Sequence, residues 1–281
     1  MMDDDALAFE RRGADAGINP MFGDWQHRFA FAPVPYRDGG AKLRAFREQI
    51  RGEVTNRFFF SGEIQLTITL FMDVQTILET SDTADVDNYA KAVLDGLRGP
   101  DGIMFDDTQV QALTISWLDS HETSFDVEVR ASPDDFLLKP VEFYEMPDGL
   151  WYPHSRLSWA DHGETPTSDV PFYGAVLINA TMAEGRARAR QMFRRDRMTR
   201  LQAYRTAQHL STSARGFHKS RVADSGFIMH DLKTWRAHVE AVRAANPGGL
   251  EAIEEVNAGM AETMGKMAEL LAGRLPRPKG G

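Results

Sequence analysis

Between residues 63 and 72 the chain alternates with a period of two. Ile64, Leu66, Ile68, Leu70 and Met72 fall on one side, and Glu63, Gln65, Thr67, Thr69 and Phe71 on the other. That is the pattern of a half-buried strand. Before it, Leu43, Phe46, Ile50 and Val54 recur at steps of three and four, which predicts an amphipathic helix over 41–55. After it, Ala90, Val93, Leu94 and Leu97 predict a second helix near 88–97, with Asp87 or Asn88 as its cap. Residues 28–34 read as a strand; Leu113, Ile115 and Trp117, then Phe125, Val127 and Val129, give two more. Gly99, Pro100, Asp101 and Gly102 make a turn between them. Strand, helix, strand, helix, strand, strand is the order of an α+β module, placed at 26–132.

The remainder has a different texture. Residues 1–25 are polar and aperiodic, as expected of a flexible arm. Residues 133–180 are rich in proline and aromatic residues and show no period from which elements follow. From 181 to 281 the chain reads as a mostly α-helical region, with helices over 182–210, 229–245 and 250–271. In the last of these, Ile253, Asn257, Met260, Met264, Met267 and Leu271 form a short heptad-like seam. Such a seam packs either on its own domain or on a second copy.

A chain of 281 residues with 42% hydrophobic and 26% charged positions has the composition of an ordered globular protein. It contains no cysteine, which excludes disulfides and thiolate zinc sites. The acidic Met-Met-Asp-Asp-Asp start lacks the apolar run of a secretory signal, and no segment is apolar enough to span a bilayer, so a soluble cytoplasmic protein is expected. The net charge of -9 conceals an asymmetry: from Glu184 to Arg221 the chain carries +9, leaving -18 for the rest. Arg186, Arg190, Arg194 and Arg197 lie at steps of four, four and three along one helix face, and Lys219 belongs to a further basic cluster. This set is a candidate phosphate-binding surface for DNA. A partner protein, or the acidic module of the same chain, would meet it equally well.

The chemistry concentrates in Asp85-Val86-Asp87-Asn88, Lys91 and Asp95, then Asp106-Asp107-Thr108-Gln109-Val110. Asp85 and Asp87, two apart in an extended approach to a helix, point the same way, and Lys91 lies one turn on. Carboxylates held together repel unless a cation neutralises them, and oxygen donors suit a hard divalent ion that keeps waters for a phosphate to displace. A calcium loop starting at Asp85 fails, because its sixth and twelfth positions are Ala90 and Gly96 rather than glycine and glutamate. The histidines have no metal-binding spacing, and no nucleotide-binding glycine motif is present.

The string from Asp85 through Lys91, Asp95 and Leu97 to Asp106, Asp107, Gln109 and Val110 resembles the signature of the RusA family of Holliday junction resolvases, over roughly residues 28–131. The resemblance implies a small mixed β-sheet with helices and a magnesium-dependent endonuclease, with manganese as a substitute, acting as a homodimer on four-way DNA junctions in recombination and repair. By position, it implies that Asp85, Asp87 and Asp107 bind metal and that Lys91 is catalytic. Asn88, Asp95 and Asp106 fill further motif positions, and Asp106 is an additional candidate ligand. The chain departs from the family at 115–119, where Ile-Ser-Trp-Leu-Asp lacks the basic residue members often carry. Cleavage of flaps or forks, or an inactive DNA- or protein-binding module, are the alternative readings.

Overall fold

The computed structural model describes residues 18–19, 24–81, 85–132, 135–157, 165–195, 199–203 and 214–274. The fold is α+β, and the chain divides into two compact units. The first comprises Met1–Val141, Leu157–Thr165 and Ser220–Phe227; the second comprises Glu142–Arg156, Pro166–Lys219 and Ile228–Gly281.

In the first unit, β1 (Ile18–Asn19), β2 (Asp24–Phe29), β4 (Ile64–Met72), β5 (Val110–Asp119) and β6 (Ser124–Ala131) form a mixed sheet in the order β1-β2-β6-β4-β5. Only β4 and β5 are parallel. The predicted alternation in β4 is realised: Leu66, Ile68 and Leu70 are buried opposite Val129, Val127 and Phe125 of β6. Helix α1 (Gly40–Glu53) contributes Leu43, Phe46 and Ile50 to the same core. Helix α3 (Val86–Leu97) adds Ala90, Val93 and Leu97 and follows the short α2 (Val74–Glu79). Gly96 permits the close approach of α1 to α3, since a Cβ there would lie 2.6 Å from Ile50 Cδ1. A two-stranded ribbon of β3 (Phe58–Phe60) and β7 (Phe136–Leu138) completes the unit.

The first strand lies earlier than its predicted 28–34. In β2 the inward side chains are Trp25 and Phe29, with His27 between them on Glu53 at 3.1 Å, while Arg28 faces out to Asp126 at 2.7 Å. Helix α3 also starts earlier, with Asp85 at the N-cap position in place of Asp87 or Asn88.

In the second unit, β8 (Val141–Glu145) lies between β9 (Trp151–Ser155) and β10 (Ile228–His230), the latter parallel to it. Helices α4 (Asp169–Arg194), α5 (Leu232–Ala245) and α6 (Glu251–Arg274) supply Phe172, Val176, Trp235, Val239 and Ile253 to the core around Tyr144 and Tyr152. Helix α4 begins well before residue 182 because Pro171 sits in its first turn, where proline leaves no hydrogen bond unmade. It ends at Arg194; residues 196–198 and 204–210 of the predicted helix lie outside the described residues. Helix α5 starts at Leu232, not 229, because Asp231 caps it by accepting from Thr234 N at 2.6 Å. At the start of the heptad-like seam, Ile253 packs on α4, its Cδ1 filling the space a Cβ on Gly174 would take. No helix among the described residues is long and apolar enough to cross a membrane.

His154 on β9 is buried, with its ring edge-on to Tyr144 and its Nε2 3.3 Å from Asn179 Nδ2. Desolvation pushes its pKa down to about 4. The unfolded imidazole takes up its proton near pH 6.5, the native one only near 4, so stability is lost as pH falls through that window. The loss is on the order of 3 kcal/mol for a shift of this size. Urea titrations at pH 7 and pH 4.5 should show it in the wild type and a much flatter response in His154→Phe. An equal acid response in both would remove His154 as the cause.

Candidate nuclease site

The candidate ligands lie in two places, at the head of α3 and in the turn that leads into β5. At the head of α3, Asp85 holds the N-cap position with extended backbone, yet its side chain makes no capping hydrogen bond. The caps Asp73 and Asp231 in the same chain do accept such bonds, from Gln75 N and Thr234 N. The carboxylate of Asp85 is therefore not spent on starting the helix. Asp85 and Asp87 are both exposed. Lys91, one turn on, places Nζ 3.9 Å over the ring of Tyr36, whose other cationic neighbour is Arg47 at 5.9 Å.

At the other end, residues 99–102 reverse the chain, with Gly99 at φ +97° and Gly102 where any Cβ would strike Leu97 O. Residues 106–109 then form a capped turn. Asp106 Oδ1 accepts from Thr108 N at 3.1 Å and Thr108 Oγ at 2.6 Å. Asp106 is only 1% exposed, and its Oδ2 is buried with no hydrogen-bond partner among the described residues, Arg98 Nη1 lying 4.0 Å away. Gln109 explains its own place in the motif. Its amide accepts from Phe105 N and Asp106 N and donates to Phe60 O and Gly62 O, stapling the turn to β3.

Asp107 is half-exposed, and its pKa is raised, first by burial and then by the Asp106 charge. Arg98 and Arg221 oppose that shift, Arg221 Nη1 lying 3.8 Å from Asp107 Oδ1. Asp95, buried on α3, pairs with Arg47 and, at 3.1 Å, with Arg98. An alternating chain Arg47–Asp95–Arg98–Asp106 thus runs behind the turn. Neither cation was singled out from the sequence: Arg98 lies three residues on from Asp95, and Arg47 joins it across the α1–α3 packing.

The structure gathers Asp95, Asp106 and Asp107 into one electrostatic neighbourhood. Among the described residues, no three acidic or histidine side chains are close enough to enclose an ion. The donor chemistry nevertheless fits a hard divalent cation. Asp106 Oδ2 is a buried oxygen without a partner among the described residues, Asp107 is a carboxylate disfavoured by a neighbouring one, and Asp85 is uncommitted as a cap.

Of the predicted phosphate-binding set, Arg186 donates to Tyr152 Oη at 2.7 Å and Arg190 to Asp148 Oδ2 at 3.1 Å, so both are engaged within their own unit. Arg194 is exposed, Lys219 is exposed with Nζ 5.4 Å over Trp151, and Arg197 lies outside the described residues.

A search of curated proteins finds no match. A family model does match: residues 36–130 fit the one described as endodeoxyribonuclease RusA, from Tyr36 through the aspartate motif to the end of β6. The mixed sheet and the motif turn agree with the resemblance drawn from residues 85–110, and over this third of its length the chain is similar to the RusA endodeoxyribonuclease family.

Proposed function

We propose that the protein is a divalent-metal-dependent endodeoxyribonuclease that cuts branched DNA, with four-way junctions as its substrate in recombination and repair. The match of residues 36–130 carries this reading, because it covers every position of the aspartate motif. Asp85, Asp87 and Asp107 would hold the cation, with Asp106 Oδ2 as a further donor. Magnesium held there, or manganese in its place, would activate water and offset phosphate charge. The chain's own residues prepare that chemistry. Lys91 holds its ammonium over Tyr36 to meet charge developing on the phosphate oxygens, while Arg98 keeps two carboxylates adjacent at modest cost. Arg194 and Lys219 are the described members of the basic set available to contact phosphates.

Cleavage of both strands at a junction calls for a homodimer, and the edge of the sheet supports one. Strand β5 is unpaired on one side among the described residues, carries no Lys, Arg or Pro from Val110 to Leu118, and exposes Leu113 (42%), Trp117 (37%) and Leu118 (52%). An edge so unprotected readily pairs with another strand. Leu118→Arg should shift sedimentation toward monomer while leaving the fold intact, since its side chain lies outside the core; an unchanged dimer would move the interface elsewhere.

Magnesium should also stabilise the fold. At a hundredfold excess over Kd the gain is about 2.7 kcal/mol, a rise in melting temperature readily seen by scanning fluorimetry. Asp107→Asn should abolish most of that rise, and an equal rise in the variant would take Asp107 out of the ligand set. Comparing purified protein on labelled junction, fork and linear duplex in magnesium tests the activity itself. Junction cleavage in preference to the other two is expected; equal cutting of linear duplex would contradict the substrate.

A further inference from the structure

A cavity of about 590 Å³ opens in the first unit between the end of α1, the 99–102 turn and the residue following β7. Its wall includes Glu48, Arg51, Asn56, Pro100, Asp101 and Lys139. Three of these have polar groups that the described fold does not use. Asn56 is 3% exposed; its Nδ2 donates to Phe58 O, but its Oδ1 is buried without a partner among the described residues. Arg51 donates through Nη2 to Asp95 O at 3.3 Å, and its Nε is likewise buried without a partner. Lys139 lies beyond the segment that matches the family, with Nζ 4.9 Å over the Phe59 ring and no carboxylate paired to it among the described residues.

Packing accounts for Lys139 covering Phe59, but not for the other two groups. A buried acceptor and a buried donor left unmade each cost free energy that a ligand can recover. Two cationic donors beside an acceptor ask for a ligand that carries an anion and a hydrogen-bond donor together. Inorganic phosphate, although its P–OH can donate, would fill only a small part of a cavity of this size, and the exposed carboxylates of Glu48 and Asp101 would repel it. A nucleotide has both, and cavities of this size hold molecules of that class.

We propose that this cavity is a nucleotide subsite, in which Arg51 and Lys139 take the phosphate and Asn56 Oδ1 accepts a hydrogen bond from the base or sugar. Arg51 connects it to the nuclease centre, since the Asp95 whose carbonyl it binds also holds Arg47 and Arg98. The nucleotide is then one unit of the DNA strand being cut, a form that rests on the nuclease reading, or a free nucleotide, which does not.

Burial pushes the Lys139 amine down to about 8, opposed by the Asp101 charge, so at pH 8 about half of it is neutral and nucleophilic. Trinitrobenzenesulfonate should therefore label Lys139 ahead of ordinary lysines, as read by peptide mass spectrometry of the full-length protein. Without divalent metal, 5′-dAMP or a four-way junction should slow that labelling severalfold, whereas inorganic phosphate at the same concentration should not. Protection by dAMP identifies a site for nucleotides as such; protection by the junction alone identifies a strand nucleotide. In parallel, Lys139→Met, which keeps the contact with Phe59, should weaken binding of the protecting ligand about tenfold, the loss of one charge-assisted contact, with an unfolding midpoint no lower than wild type. Equal protection by inorganic phosphate, or none by any probe, overturns the subsite. Because these readings need no cleavage, a protein that protects Lys139 but never cuts would refute the nuclease alone, and one that cuts with Lys139 unprotected would refute the subsite alone.

Discussion

Gln109→Leu is expected to unfold the first unit or bring it close to unfolding, although the exchange nearly conserves volume. Gln109 is fully buried, and both ends of its amide are doubly used: Phe105 N at 2.7 Å and Asp106 N at 3.2 Å on the oxygen, Phe60 O at 2.7 Å and Gly62 O at 2.9 Å on the nitrogen. Leucine would orphan two amides and two carbonyls in the interior. At about 1 kcal/mol for each, the low end of the range, the loss is about 4 kcal/mol. That is a large share of the 5–15 kcal/mol or so by which domains are stable. Gln111→Leu, on the exposed part of β5, is the control and should stay within about 0.5 kcal/mol of wild type. Urea denaturation separates the two; a Gln109→Leu variant within about 1 kcal/mol of wild type would mean the staple is dispensable. The same variant should lose cleavage even where it remains folded, since Asp106 and Asp107 are positioned by the turn that Gln109 fastens.

The role of Gln109 illustrates what the sequence made legible. The motif spacing located the aspartates, and the period of β4 located the sheet beside them, because one face of that strand is buried and the other is not. Where both faces are covered the period vanishes: in β9 Trp151, Tyr152, Pro153 and His154 are all buried. The strands β7 and β8, of three and five residues, are too short to show a period, so they, β9 and the start of α4 left no pattern within 133–180. Helix-face spacing grouped Arg186 and Arg190 correctly, but Tyr152 and Asp148, which occupy them, come from β9 and the turn before it, long-range partners that no local spacing reveals. The same holds for Arg47 on Asp95 and for the orphaned Asp106 Oδ2, which exist only once α1, α3 and the 106–109 turn have come together. What was legible, then, was the identity of the acids; what was not was which of them the fold already satisfies.

The largest effect on activity is expected from neutralising the acids at the head of α3. Asp85→Asn and Asp87→Asn are isosteric changes at exposed positions, and Asp85 makes no capping bond that its loss would break, so the fold should be unaffected. If these carboxylates hold the cation, removing either forfeits several kcal/mol of charge stabilisation, a fall in cutting rate on the order of 10²–10⁴-fold. Lys91→Met should fall less, because an ammonium over Tyr36 assists the phosphate without holding the cation. The decisive measurement is single-turnover cleavage of a labelled four-way junction in magnesium by wild type and Asp87→Asn, alongside gel-shift binding of the same junction. Loss of cutting with binding retained is the predicted result; an Asp87→Asn variant that cuts at the wild-type rate would contradict the site.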